Sequence, residues 1–192
     1  METYEKEIYQ FLTQKDNYRQ MLKVLEHQDM IWENLIIEFW DLVIEKLEKL
    51  NEENSTKWEI KADEEYFDPW SSLNMIKKEW PEYRDNGFPA ICVAWESLSN
   101  DLHYGIWIRK EFWDNPELRN IIASMQKEKG NKGKSTWILF YGQGYNFSRM
   151  EDLVHILPDN RDDLATEFAT MLFDLAAEME GRLDEIIERI KA

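Results

Sequence analysis

The sequence predicts an α+β fold, an antiparallel sheet of about four to five strands covered by a long N-terminal helical segment and an acidic C-terminal helix. Three observations predict it. Around Pro89–Lys110, Ile91, Val93 and Trp95 alternate with Ala90, Cys92 and Ala94; after the polar run Ser97–Asp101, Tyr104, Ile106 and Ile108 alternate with His103, Gly105 and Trp107. This period-two pattern, with β-branched and aromatic residues on either side of a turn, marks a β-hairpin. The chain before residue 50 and after residue 151 instead carries apolar residues at helical spacing.

Residues 1–50 have no Gly or Pro, and Tyr18, Leu22, Leu25, Trp32, Ile36, Phe39, Val43 and Leu50 recur three, four or seven apart. They define the apolar face of one long helix, or of two in succession with a break at His27-Gln28-Asp29. Ile31, Leu35 and Leu42 widen that face, which suits packing on a sheet. Asn51–Ser55 follows as a polar linker. Residues 56–145 hold the expected sheet, with a strand at Trp58–Ala62, a second at Leu73–Lys77, the hairpin, and a last strand at Trp137–Tyr141. Asp63–Pro69 and Pro81–Gly87 read as loops. Between the hairpin and the last strand, Pro116 opens a helix whose Leu118, Ile121, Ile122 and Met125 share one side. Residues 151–192 complete a single domain with a short helical turn and a final helix. Asp159 or Asn160 can cap that helix, and Leu164, Phe168, Leu172, Leu175, Met179, Leu183, Ile186 and Ile190 form its buried stripe.

The 192 residues carry a formal net charge of −16, with 43% hydrophobic and 14% aromatic residues and 9 Trp. So acidic a chain is not expected to bind nucleic acid directly, because such surfaces need a Lys/Arg footprint. It suits a protein partner with a basic surface, and the surplus of aromatics offers contact groups beyond the core. No apolar run reaches membrane-spanning length and no signal segment is visible, so no membrane association and a cytoplasmic location are expected. The single Cys92, set in an apolar strand, reads as a small buried hydrophobe.

Glu59-Ile60-Lys61 is the first candidate site. On a strand, Glu59 and Lys61 project to one face, the placement by which a nuclease holds a divalent ion and orients the attacking water. Asp63, Asp68 or Glu96 would have to supply the second carboxylate, since no Asp-bearing strand precedes the triplet. Mg²⁺ is the cofactor only under this alternative; otherwise none is expected, and no catalytic residue is assigned. Gly133-Lys134-Ser135-Thr136 ends like a phosphate-binding loop, yet Glu128 stands where its first glycine belongs and a strand follows instead of a helix. Lys127, Lys129, Lys132 and Lys134 make a local basic patch that reads as a solvated loop. The acids of Asp63-Glu64-Glu65 and Asp68 lack Ca²⁺-loop spacing. His27, His103 and His155 form no metal motif, and His103 at a strand start reads as structural.

From Tyr18 to Phe112, the segments YRQMLKVLEH, FWDLVIEKLEKL, WEIK, SLNMIKKEWPEY and FPAICVAWES…LHYGIWIRKEF together resemble the region after the catalytic core in some bacterial PD-(D/E)XK nuclease superfamily proteins. That resemblance implies a stand-alone accessory or regulatory domain of a genome-defence system and transfers no catalytic residue. The expected function is therefore a non-catalytic acidic binding or regulatory protein acting on a basic-surfaced partner, in its sharpest form a nucleic-acid-mimicking inhibitor. A diverged metal-dependent nuclease and an oligomerising module whose long helices pair between chains are the alternatives.

Overall fold

In the computed structural model, residues 3–63, 66, 68, 70–80 and 89–191 are described. The expected loop at Pro81–Gly87 lies outside them, as do Glu64, Glu65 and Pro69. The chain divides into two compact units, Met1–Leu35 and Ile36–Ala192.

The first unit contains helices α1 (Thr3–Leu12) and α2 (Lys15–Glu26) and the start of α3 (Gln28–Glu53). The predicted break at His27 is present, with His27 leaving helical geometry and its N–H bonded to the Lys23 and Val24 carbonyls. A second break at Thr13-Gln14 was not legible as one, because neither residue interrupts the apolar stripe. The Asn17 side-chain amide fixes this corner by donating to the Phe11 carbonyl at 2.9 Å. The stripe itself behaves differently from its expected role. Tyr18, Leu22 and Leu25 are 47%, 46% and 54% exposed, whereas Ile36, Phe39, Trp40, Val43 and Leu47 further along are fully buried.

The second unit is built on a five-stranded antiparallel sheet in the order β1 (Trp58–Ala62), β2 (Ser72–Lys77), β3 (Ile91–Glu96), β4 (His103–Ile108), β5 (Trp137–Gly142). The strands alternate as predicted. Leu73, Met75, Ile91, Val93, Trp95, Ile106 and Ile108 lie on one face by register and are fully buried. Against this face pack α3, from Ile36 onward, and α7 (Arg161–Lys191). Trp95 stacks on Phe168 at 4.7 Å and donates its indole N–H to the Phe168 carbonyl. Trp40 donates to the Leu98 carbonyl at 3.0 Å and sits against Trp95, Phe168 and Phe39. Each such side chain contributes about 1.5–3 kcal/mol by burial, and its polar N–H is satisfied.

Helix α3 does not stop at Leu50. It runs through Glu53, and the expected linker is a pinned turn. Asn51 donates to the Trp58 carbonyl, accepts from the Trp58 N–H and meets the Thr56 hydroxyl, while Ser55 takes a positive φ of 52°. This ties the end of α3 directly to β1. Beyond the hairpin come the single turn α4 (Lys110–Trp113) and α5 (Pro116–Glu128), the latter capped by Asn115 with Pro116 in its first turn as its sequence dictates. A short α6 (Met150–Leu153) and a 3₁₀ turn at Val154–Ile156 lead into α7. The first turn of α7 holds Asp162 and Asp163, and Lys46 on α3 reaches Asp162 at 2.9 Å. No helix among the described residues is long and apolar enough to cross a membrane.

Candidate functional site: an aromatic cleft on the open sheet face

The alternate positions of the strands build the second face of the sheet. Across its middle the register aligns Lys61, Asn74, Ala94, Gly105 and Phe140; a second row aligns Ser72, Glu96, His103 and Gly142. Small side chains at Ser72 and Ala94 leave a hollow floor. Large ones at Trp107, Trp137 and Phe140 raise a wall along β4 and β5, where a register shift between Ile106 and Trp107 places Trp107 opposite Trp137. Gly105 is obligatory here, since a Cβ at this position would stand 1.9 Å from the Leu139 carbonyl oxygen of the next strand. Trp70, 76% exposed just before β2, forms the opposite side.

Two hollows result, of about 210 Å³ and about 630 Å³. Trp70, Glu96, Trp107 and Trp137 border both, so they form one cleft with two ends. The smaller end is mostly apolar and rests on Cys92 and Ala94. The larger end adds His103, Asp101, Lys134 and Phe140. Pockets of this kind, apolar walls with a few convergent polar groups, are the usual form of binding sites.

Glu96 and His103 are cross-strand partners at the turn end of the hairpin. His103 Nε2 stands 3.5 Å from the Glu96 carboxylate, Nδ1 stands 2.9 Å from the Asp101 carbonyl, and the ring lies against Trp137 and Phe140. Burial disfavours the imidazolium, but the hydrogen bonds to Glu96 and Asp101 and the Glu96 charge outweigh it, with Lys134 opposing them. The pKa of His103 rises above its ordinary 6.5. Burial, reinforced by Glu96, pushes the Cys92 thiol up, so it stays a neutral S–H and offers no thiolate nucleophile. Ser72 is equally committed: its hydroxyl and N–H both meet the Asp63 carboxylate, at 3.0 and 2.6 Å, and Asn74 donates to its Oγ.

Of the sequence-based candidates, Glu96, His103 and Lys134-Ser135-Thr136 line this cleft, whereas Glu59, Lys61, Asp63 and Asp68 do not. Glu59 and Lys61 do share a face, as strand geometry requires, and are 3.5 Å apart in an ion pair on the edge strand β1. Asp63 caps the Ser72 backbone and Asp68 accepts from the Trp70 N–H, so neither completes a set with Glu59. Glu96 belongs to His103. Among the described residues, no group of three or more His, Cys, Asp or Glu side chains could hold a metal ion. In the phosphate-loop look-alike, the amides serve the fold. Asn131 accepts from the Gly133 N–H, and Lys134 and Trp137 exchange backbone hydrogen bonds. Of the basic patch, Lys129 pairs with Glu178 and Lys134 lies 4.8 Å over the Phe140 ring.

Sequence reasoning assigned His103 to structure and left Trp70, Asp101, Trp107, Trp137 and Phe140 without a role. The usable signal was the hairpin register, which sets Glu96 opposite His103 once Ile91 is set opposite Ile108. No protein-family model, curated protein or solved structure matches the chain.

Proposed function

We propose that the protein is a non-catalytic binding protein for a partner with a basic surface, and that the aromatic cleft receives a lysine or arginine side chain of that partner. The observation that carries this reading is the cleft itself: Trp70, Trp107, Trp137 and Phe140 line one hollow together with Glu96, Asp101, His103 and Lys134, on a chain of net charge −16. Aromatic faces attract cations with about 0.5–2 kcal/mol each, more as water is excluded. Lys134 over Phe140 is an internal instance of that contact. The overall charge then accelerates encounter and supplies the salt dependence, while the cleft supplies the anchor. A partner that itself handles nucleic acid carries a basic surface of this kind, and the chain would compete with nucleic acid for it.

The test is titration of the full chain with a Lys/Arg-rich peptide by calorimetry, with and without Trp70→Ala. Trp70 is exposed, so its loss leaves the core intact. Binding weakened about tenfold by Trp70→Ala, and falling steeply between low and physiological salt, is expected. Affinity indifferent to Trp70→Ala would reduce the interaction to unspecific charge attraction and end the proposal.

A further inference from the structure

Resting on the reading of the cleft as a cation site, we infer that this site is regulated by protons. A proton on His103 and the basic side chain of the partner compete for the Glu96 carboxylate, so the partner is held at higher pH and released as pH falls. Both Glu96 and His103 line the larger hollow, beside Trp107, Trp137 and Phe140. Their side chains are 20% and 15% exposed, open enough to exchange protons with water and buried enough that salt screens their charges weakly.

The geometry fixes where the proton goes. The Asp101 carbonyl oxygen can only accept, so His103 Nδ1, 2.9 Å from it, carries the hydrogen. In the neutral ring Nε2 is then a bare lone pair, and it stands 3.5 Å from the Glu96 carboxylate. Two acceptors meet there until a proton enters between them. Once it does, the imidazolium and Glu96 form an ion pair of zero net charge, and little attraction for a third charge remains. Without it, the pair presents the full negative charge of Glu96 to the cleft.

The charged groups facing His103 come from three places. Strand β3 supplies Glu96, the hairpin turn supplies Asp101, and the segment before β5 supplies Lys134, whose charge opposes the imidazolium. In the same row or in ring contact, β2 and β5 place Ser72, Gly142, Trp137 and Phe140, none of which changes charge with pH. Asp63, behind Ser72, is held by the Ser72 N–H and hydroxyl. The balance raises the pKa of His103 above 6.5, so the cation site is complete only above that raised value. The other two histidines, His27 and His155, line neither hollow.

The experiment is calorimetric titration of the full chain with an acetylated, amidated Arg-rich peptide, at constant ionic strength, between about pH 5.5 and 8.5. Arginine keeps its charge throughout, so the peptide adds no titration of its own. The affinity should rise about fivefold across this range, the effect of one elementary charge a few Å from the ligand in a hydrated site. His103→Gln should abolish the rise. By linkage, His103 followed by NMR in the peptide-saturated wild-type chain should titrate about 0.7 pH unit lower than in the free chain, the same fivefold factor read without a variant. A flat pH profile, with Trp70→Ala still weakening binding, overturns the inference and leaves the cation site standing. So does a rise that survives His103→Gln, or a His103 that titrates at one pH whether free or bound. Binding indifferent to Trp70→Ala removes the cation site and the inference with it.

Discussion

Lys77, on the helix-covered face of β2, permits a test in which two ways of breaking one interaction have different costs. Its ammonium lies 2.7 Å from Glu180 and 2.7 Å from Asp184 on α7, with the Trp80 indole also donating to Asp184 and the Trp58 ring 5.5 Å away. The lysine side chain is only 9% exposed, while those of Glu180 and Asp184 are 43% and 46% exposed. Stranding one partner of a fully buried pair costs about 3–5 kcal/mol, and breaking an exposed pair about 0–1. Lys77→Met keeps the packed stem and leaves two acids that water can reach, so about 1 kcal/mol is expected. Glu180→Gln/Asp184→Asn leaves a buried ammonium with no anion, so about 2–3 kcal/mol is expected. Urea unfolding at pH 7 measures both. The reasoning fails if Lys77→Met proves as costly as the double variant.

A pH profile sharpens the same test. Burial opposes the Lys77 charge, but the hydrogen bonds and charges of Asp184 and Glu180 prevail and raise its pKa above 10.5. Its contribution is therefore complete at neutral pH and lost only as pH climbs through that raised value. In the double variant burial acts unopposed and the pKa falls below 10.5. The folded state then sheds its proton before the unfolded chain does, so the stability deficit should shrink as pH is raised.

Two other predictions concern the cleft. In an NMR titration, His103 should titrate above 6.5 and move down in Glu96→Gln; its pairing with Glu96 should stabilise the fold fully below 6.5 and fade as pH rises through the higher value. A His103 titration unmoved by Glu96→Gln would contradict the assigned pairing. Gly105→Ala would drive a methyl into the backbone of β5 and should cost more than about 2 kcal/mol in urea unfolding, and a change under about 0.5 would mean that β5 yields freely there.

The strands and their two faces were legible because alternation is a local property. Ile91, Val93 and Trp95 could be separated from Cys92 and Ala94 without knowing what covered either set. Period alone was weaker for the helices. Tyr18, Leu22 and Leu25 continue the spacing of Ile36, Phe39 and Val43, yet only the latter are buried. Spacing establishes that a face exists; it does not say what lies on it. The cleft was hidden for a different reason. Its walls come from the approach to β2, from β4 and from β5, and its depth depends on a shift in pairing between Ile106 and Trp107 that no run of residue types announces.

The order β1 to β5 follows the order of the chain, and this has a consequence for how the molecule assembles. Each strand finds its partner among its immediate neighbours in the chain; the β3–β4 ladder closes the shortest loop, and the β4–β5 ladder spans α4 and α5. The contacts that span the sequence belong to the helices: Trp40 to Leu98 across 58 residues, Trp95 to Phe168 across 73, Lys46 to Asp162 across 116. A nascent sheet can thus start from the β3–β4 hairpin and add its other strands on either side. It gains its full apolar cover only when the two ends of the second unit, α3 and α7, close over it together.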